Sequence, residues 1–302
     1  MSRKRFVAVA AAGVLLVVSG VMAAAVTATG TATPRDVRYY VALGDSLSTG
    51  FQPTLLGEGI ETHSGYVDDI YLAEHRYERH LELVDFGCPG DTTTSLLTGI
   101  GNYALARRLH CDRSHGSQLT AAAEFLRTHH RPGEVPLVTI DIGINDINRC
   151  AGLVEPDRCL LTGEGAIAKN LPRILHRLRA VAPSGTVFAA MTLYDTYLGT
   201  RMAPSVAAAN ADSFLDAYHH VNLTIAADDA SAGFRTADVA GAFDTFDTGL
   251  VAWHGRREPA NLARTCDLTW SCSPPPIYHN IHPDNRGYAL IARKYEQVIG
   301  RL

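Results

Sequence analysis

The chain has 302 residues, and its 27 Lys and Arg against 31 Asp and Glu leave a formal net charge of -4 with no long run of either sign. That balance gives no basic footprint for nucleic acid, and nucleic-acid binding is set aside. Six cysteines with no Cys-x-x-Cys pair and no matching histidine cluster argue against a bound metal and for disulfides.

The N-terminus comes first. Arg3-Lys4-Arg5 precedes an apolar run from Phe6 to Val18, followed by small residues that include Ala23-Ala24-Ala25. Residues 1–33 are therefore expected to be an export signal and short linker, cut after Ala25 or Ala28. Because only Ser19 interrupts the run before Val26, an uncleaved anchor close to the membrane is the alternative. Either outcome places the remainder, 34–302, outside the cytoplasm, secreted or tethered. Its roughly 270 residues suit one α/β domain, expected to act as a monomer.

Within 34–302, short β-branched runs alternate with longer amphipathic ones. The expected strands are 38–43, 81–86, 136–142, 186–191 and 234–239. The expected helices are 117–129, 167–181, 205–227 and 285–298. In the first of these helices Leu119, Ala122, Ala123 and Leu126 recur at three- and four-residue steps. Strands alternating with helices argue for a three-layer α/β/α sandwich around a central five-stranded parallel sheet. The stretch from the 240s to 276, rich in Gly and ending in Pro274-Pro275-Pro276, reads as a long structured loop.

The cysteine spacing favours three local pairs, Cys88 with Cys111, Cys150 with Cys159 and Cys266 with Cys272, since each brackets a polar, turn-rich segment. Two of these loops adjoin candidate site segments, Cys88 lying two residues before Gly90 and Cys150 four after Asp146. Ser46 follows the first strand through a Gly44-Asp45 turn, and Asn145 follows the third in Gly143-Ile144-Asn145-Asp146. A serine hydroxyl needs a base within hydrogen-bond reach to act as a nucleophile. His282, in Ile281-His282-Pro283, is the candidate, its ordinary pKa of about 6.5 suiting proton transfer near neutrality.

Four blocks in order, Gly44-Asp45-Ser46-Leu47-Ser48, Cys88-Pro89-Gly90-Asp91-Thr92, Gly143-Ile144-Asn145-Asp146 and Ile281-His282-Pro283, resemble those of the GDSL, or SGNH, esterases and lipases. The resemblance implies a flavodoxin-like fold and an exported serine esterase working through an acyl-Ser46 intermediate without cofactor or metal. It implies His282 as base, and an oxyanion hole made of the backbone N–H groups of Ser46 and Gly90 and the amide of Asn145. The expected substrate is a lipid or short-chain acyl ester. A carbohydrate acetyl ester is the alternative, and a non-catalytic exported binding protein that kept the fold is a second. No Gly-x-Ser-x-Gly elbow occurs, which disfavours the common α/β-hydrolase arrangement.

The chain departs from the resemblance at the third triad member. Members of the family often carry an aspartate three residues before the histidine; here that position is His279, and Asn280 stands two before. Neither supplies a carboxylate. The segment from Cys266 to Cys272 is the expected source of the orienting group, either the Asp267 carboxylate or a backbone carbonyl around Trp270, with the carbonyl favoured.

Overall fold

The computed structural model describes residues 37–101, 111, 116–202, 205–277 and 280–302. The expected export segment and His279 lie outside these residues. Five strands form one sheet: β1 (Arg38–Leu43), β4 (Leu81–Asp85), β5 (Leu137–Ile140), β6 (Val187–Met191) and β7 (Arg235–Ala237). Their order is β4-β1-β5-β6-β7 and all pairings are parallel. Each falls within an expected strand or matches it. β1 and β5 are legible because a strand buried on both faces needs an uninterrupted apolar run, and Tyr40, Val41, Ala42 and Leu43 are all fully enclosed.

Helices cover both faces. Tyr66–His75 (α1) packs against the C-terminal helix Asn285–Ile299 on one side, where Tyr66 and Tyr295 stack with ring centroids 4.9 Å apart. On the other side lie Gln118–Thr128, Asp157–Val181 and Ala211–Ala232. The expected start of the second of these at 167 is ten residues late, because the Cys159 turn and Leu160 extend the buried face backward. The expected 205–227 helix is broken at Asn210 into Val206–Ala209 and Ala211–Ala232. Asn222, which stands in a glycosylation-like triplet, points inward and bonds both backbone groups of Leu193.

The 240s to 276 are more ordered than a loop. They hold a one-turn helix Val239–Ala242, an antiparallel hairpin of β8 (Leu250–Trp253) and β9 (Arg256–Pro259), and a helix Ala260–Leu268. A second small hairpin, β2 (Gln52–Pro53) with β3 (Gly59–Ile60), follows the Ser46 turn. The three disulfides are Cys88–Cys111, Cys150–Cys159 and Cys266–Cys272, matching the pairs favoured by the spacing.

In this strand order the chain leaves β1 toward β4 and returns to β5 on its other side. Ligands of open parallel sheets sit at the carboxyl ends of strands where the winding direction changes. Ser46 follows β1, Gly90 follows β4 and Asn145 follows β5. The topology therefore brings residues a hundred positions apart to one edge.

Candidate active site

Ser46 occupies a tight turn at the end of β1. The Leu47 N–H donates to Asp45 Oδ1 at 3.0 Å, the Ser48 hydroxyl to Asp45 O, and the Phe51 N–H back to Ser46 O. Gly44 is needed because the backbone there runs against Asp141: a Cβ would sit 2.1 Å from the Asp141 Oδ1. The Ser46 side chain is nearly enclosed, and its Oγ lies 2.9 Å from His282 Nε2.

His282 reaches this point from the loop just before the C-terminal helix, which Asp284 caps by accepting from the N–H groups of Arg286 and Gly287. The Asn280 Oδ1 is 2.9 Å from His282 Nδ1 and also accepts the His282 backbone N–H at 3.1 Å. Since an amide oxygen only accepts, Nδ1 carries the ring proton and Nε2 offers its lone pair to the Ser46 hydroxyl. The Phe51 ring lies against the imidazole, with centroids 4.6 Å apart. Enclosure by these groups disfavours the imidazolium and draws the His282 pKa down to about 4.

Two expected orienting groups are elsewhere. Asp267 does not meet His282: its carboxylate accepts from Trp253 Nε1 at 3.0 Å and lies 3.9 Å from His254. No carbonyl of the 266–272 loop bonds the imidazole either. Trp270 instead donates its backbone N–H to His282 O at 3.0 Å, and its indole N–H reaches Gln52 Oε1. The disulfide-braced loop thus holds the His282 backbone while Asn280 holds the ring. A search for a carboxylate misses Asn280; an Asn two residues before the histidine, able to close a turn on the histidine N–H, is the available signal.

Gly90 has a left-handed backbone, φ +82°, between Pro89 and the buried Asp91. Among the described residues neither the Ser46 nor the Gly90 N–H has an acceptor. Asn145 sits in the first turn of the short helix Ile144–Asn148 and donates from Nδ2 to Asp45 Oδ2 and to Asp91 O, both at 3.0 Å. Gln118 ties these blocks together. Its amide pairs with both backbone groups of Gly44 and donates to Asp91 Oδ2. Asp146 accepts from the N–H and hydroxyl of Thr93, at 2.8 Å each, which fixes the helix Thr93–Thr98 beside Asn145.

A cavity of about 550 Å³ adjoins Gly90 and Asn145. Apart from Ile100 and two glycines its described lining is polar: Thr92, Thr94, Ser95, Asn145, Asn148 and Arg149. Among the described residues no cluster of three or more His, Cys, Asp or Glu side chains is placed to hold a metal ion.

The family model of GDSL-like lipases and acylhydrolases matches residues 42–290. The chain belongs to the GDSL-like lipase/acylhydrolase family, whose members are carboxylic ester hydrolases, and the α/β fold with its five-stranded parallel sheet is that of the SGNH hydrolases. Among solved structures it is similar to an extracellular lipase from Streptomyces rimosus, at 18% identity and TM-score 0.53, covering 87% of this chain and 100% of that one. It is also similar to an acetyl xylan esterase from Geobacillus stearothermophilus, at 16% identity and TM-score 0.50, covering 89% and 99%. A lipase from a goat rumen metagenome matches at 16% identity and TM-score 0.50, covering 87% and 98%. No curated protein matches by sequence.

Proposed function

We propose that the protein is an exported serine esterase in which Ser46 attacks a carboxylic ester and His282 takes the hydroxyl proton. The single observation that carries this is the 2.9 Å contact between Ser46 Oγ and the unprotonated Nε2 of His282. Attack converts the ester carbonyl to a tetrahedral oxyanion, for which the N–H groups of Ser46 and Gly90 and the Asn145 amide are the donors at hand. His282, now protonated, then passes its proton to the departing alcohol. Water repeats the sequence on the acyl-Ser46 ester and restores the serine.

The polar cavity beside Gly90 and Asn145 bears on the substrate. Threonine hydroxyls, Asn148 and Arg149 favour a short or hydroxylated arm of the ester over a long alkyl chain, which would leave those groups desolvated and unpaired. Short-chain acyl esters are therefore the first reading, and acetyl esters of carbohydrates the second, favoured by the same hydroxyl-rich lining. Three disulfides fit an extracytoplasmic location.

The test is a series of nitrophenyl esters from acetyl to palmitoyl, with acetylated sugars in parallel, on wild type and Ser46→Ala. Activity greatest on the short or sugar esters and absent from Ser46→Ala supports both parts. Turnover surviving in Ser46→Ala would sink the mechanism, and a preference for palmitoyl would sink the substrate reading. No turnover of any ester by wild type would favour a binding protein.

A further inference from the structure

Asn145 has two amide hydrogens, and both are engaged, one by Asp45 Oδ2 and one by Asp91 O. Serving an oxyanion therefore requires sharing one of them. The Asp91 carbonyl is a fixed acceptor, but the strength of Asp45 depends on its protonation. Asp45 is wholly buried, and its Oδ1 is already taken by the Leu47 N–H. Its backbone N–H lies 3.4 Å from Asp141 Oδ2, which brings the two buried acids side by side. Asp141 is equally enclosed, with the Tyr66 hydroxyl donating to its Oδ1 at 2.6 Å.

Two neighbouring carboxyl groups enclosed away from water are accommodated when one of them keeps a proton, which it can donate to the other. Among the described residues no Lys, Arg or His forms an ion pair with either. The ionisable groups that face them are Asp91 and Asp146 on the Asp45 side, and the phenols of Tyr40, Tyr66, Tyr194, Tyr288 and Tyr295. None brings positive charge. Burial, with repulsion from Asp91 and Asp146, pushes Asp45 up to about 7, and burial with repulsion from Asp45 pushes Asp141 well above its ordinary value.

We propose that Asp45 and Asp141 hold one proton between them, carried by Asp141, and that the Asp45 carboxylate so tempered is the positioning group that sets the Asn145 amide for the oxyanion. The Asp141 hydroxyl draws charge away from the Asp45 oxygens. Asp45 then orients Asn145 without holding its hydrogen so tightly that the oxyanion cannot share it. The shared proton also removes one of the pair's two negative charges from beside the developing oxyanion. This rests on the reading of Asn145 as an oxyanion donor.

Asp45→Asn tests the positioning role. Its own amide must turn an N–H toward either Leu47 N or Asn145 Nδ2, donor against donor. The expected result is a loss of roughly tenfold or more in kcat with little change in KM, against about a hundred- to a thousandfold for Asn145→Ala. In the double variant Asp45→Asn/Asn145→Ala the loss should equal that of Asn145→Ala alone, because Asp45 acts through Asn145. Losses that multiply would overturn the proposal and leave Asp45 a structural acid. Wild-type kcat in Asn145→Ala would overturn instead the oxyanion reading beneath it. The proton has its own readout: at neutral pH the infrared difference spectrum of wild type minus Asp141→Asn should show a carboxylic-acid carbonyl band, moved by ¹³C-aspartate labelling, beyond the absorption that other buried aspartic acids such as Asp195 give in both proteins. If Asp45→Asn fails to fold, this band still decides, and identical spectra for wild type and Asp141→Asn refute the shared proton.

Discussion

The side-chain oxygen of Asn280 stands 2.9 Å from Nδ1 of His282 and 3.1 Å from that residue's backbone nitrogen, so one neutral acceptor fixes the tautomer and the angle of the ring together. Removing it in Asn280→Ala frees the imidazole to rotate and to adopt the other tautomer. The expected cost is a fall in kcat of roughly ten- to a hundredfold, smaller than the roughly 10⁴ for removing the charge of a triad aspartate, because no charge is lost here. Asp267→Ala, whose carboxylate faces Trp253, should change kcat by no more than about twofold. Steady-state kinetics on the two variants checks the assignment, and the reverse ranking would return Asp267 to the site.

The protonation of His282 gives a second expectation. The base works only when neutral, that is, above its pKa, and burial has drawn that pKa to about 4. The steep acid limb of kcat/KM, which reports the free enzyme, should therefore have its midpoint near pH 4 and not near 6.5, distinct from the partial fall that protonation of Asp45 brings near pH 7. In Asn280→Asp a carboxylate would face Nδ1 and favour the imidazolium, moving the midpoint of the limb to higher pH by roughly 1 to 3. A pH profile of kcat/KM for both proteins on one short-chain ester measures this. An unmoved limb would show that the residue at 280 does not sense the charge on the ring.

Much of this arrangement is legible in the sequence, for identifiable reasons. β1 and β5 announce themselves because strands buried on both faces must be apolar throughout, as Val41-Ala42-Leu43 and Leu137-Val138 are. Ser46 and His282 stand out because each lies in a distinctive local string. The helix Tyr66–His75 does not, since only Tyr66, Val67 and Ile70 of its ten residues are buried while the apolar Leu72 is exposed, which blurs the helical stripe. Gln118 looks like a polar break at the start of an amphipathic helix, whereas it faces inward and bonds Gly44 and Asp91. Asn280 escapes notice because a triad suggests a carboxylate where an amide suffices. Contacts such as Asp45 with Asp141 join positions 96 apart, and no local pattern encodes them.

The Cys266–Cys272 bridge closes the short loop whose Trp270 N–H holds the His282 backbone. A loop of that length loses about 2 kcal/mol of unfolded-state entropy on cross-linking, a modest part of a domain's stability. The effect on the site should be larger, since an unbraced loop no longer fixes the histidine. Titration with a reductant should lower esterase activity before far-UV circular dichroism changes. Cys266→Ser/Cys272→Ser should reproduce the activity loss with the fold retained. Simultaneous loss of both signals would mean that the bridge serves only global stability.

Asp195 has no hydrogen bond to Ser46, Gly90, Asn145 or His282 and offers a test of buried charge. Its side chain is fully enclosed; Oδ1 accepts the Tyr197 N–H at 2.7 Å, and Oδ2 has no partner among the described residues. Burial raises its pKa from 3.8 to about 7, with Arg201 opposing. The sign follows from linkage: the unfolded chain releases this proton first, so the folded state binds more protons between these two values. Stability from this group is therefore highest at the acid end and declines as pH rises from 3.8 to about 7. The ceiling on that decline is about 4 kcal/mol, since a tenfold difference in proton affinity between the folded and unfolded chain is worth about 1.4 kcal/mol. Asp195→Asn keeps an acceptor for Tyr197 and cannot ionise. It should raise Tm by a few degrees at pH 8 and leave it nearly unchanged at pH 4. Asp229 and Asp146, raised by burial to about 7 and about 6, contribute slopes of the same sign, so the difference in Tm between the two pH values should shrink in the variant without vanishing. Thermal melts across pH settle the matter: an equal drop in Tm at both ends would show that Asp195 is held by contacts its amide cannot replace, and not burdened by its charge.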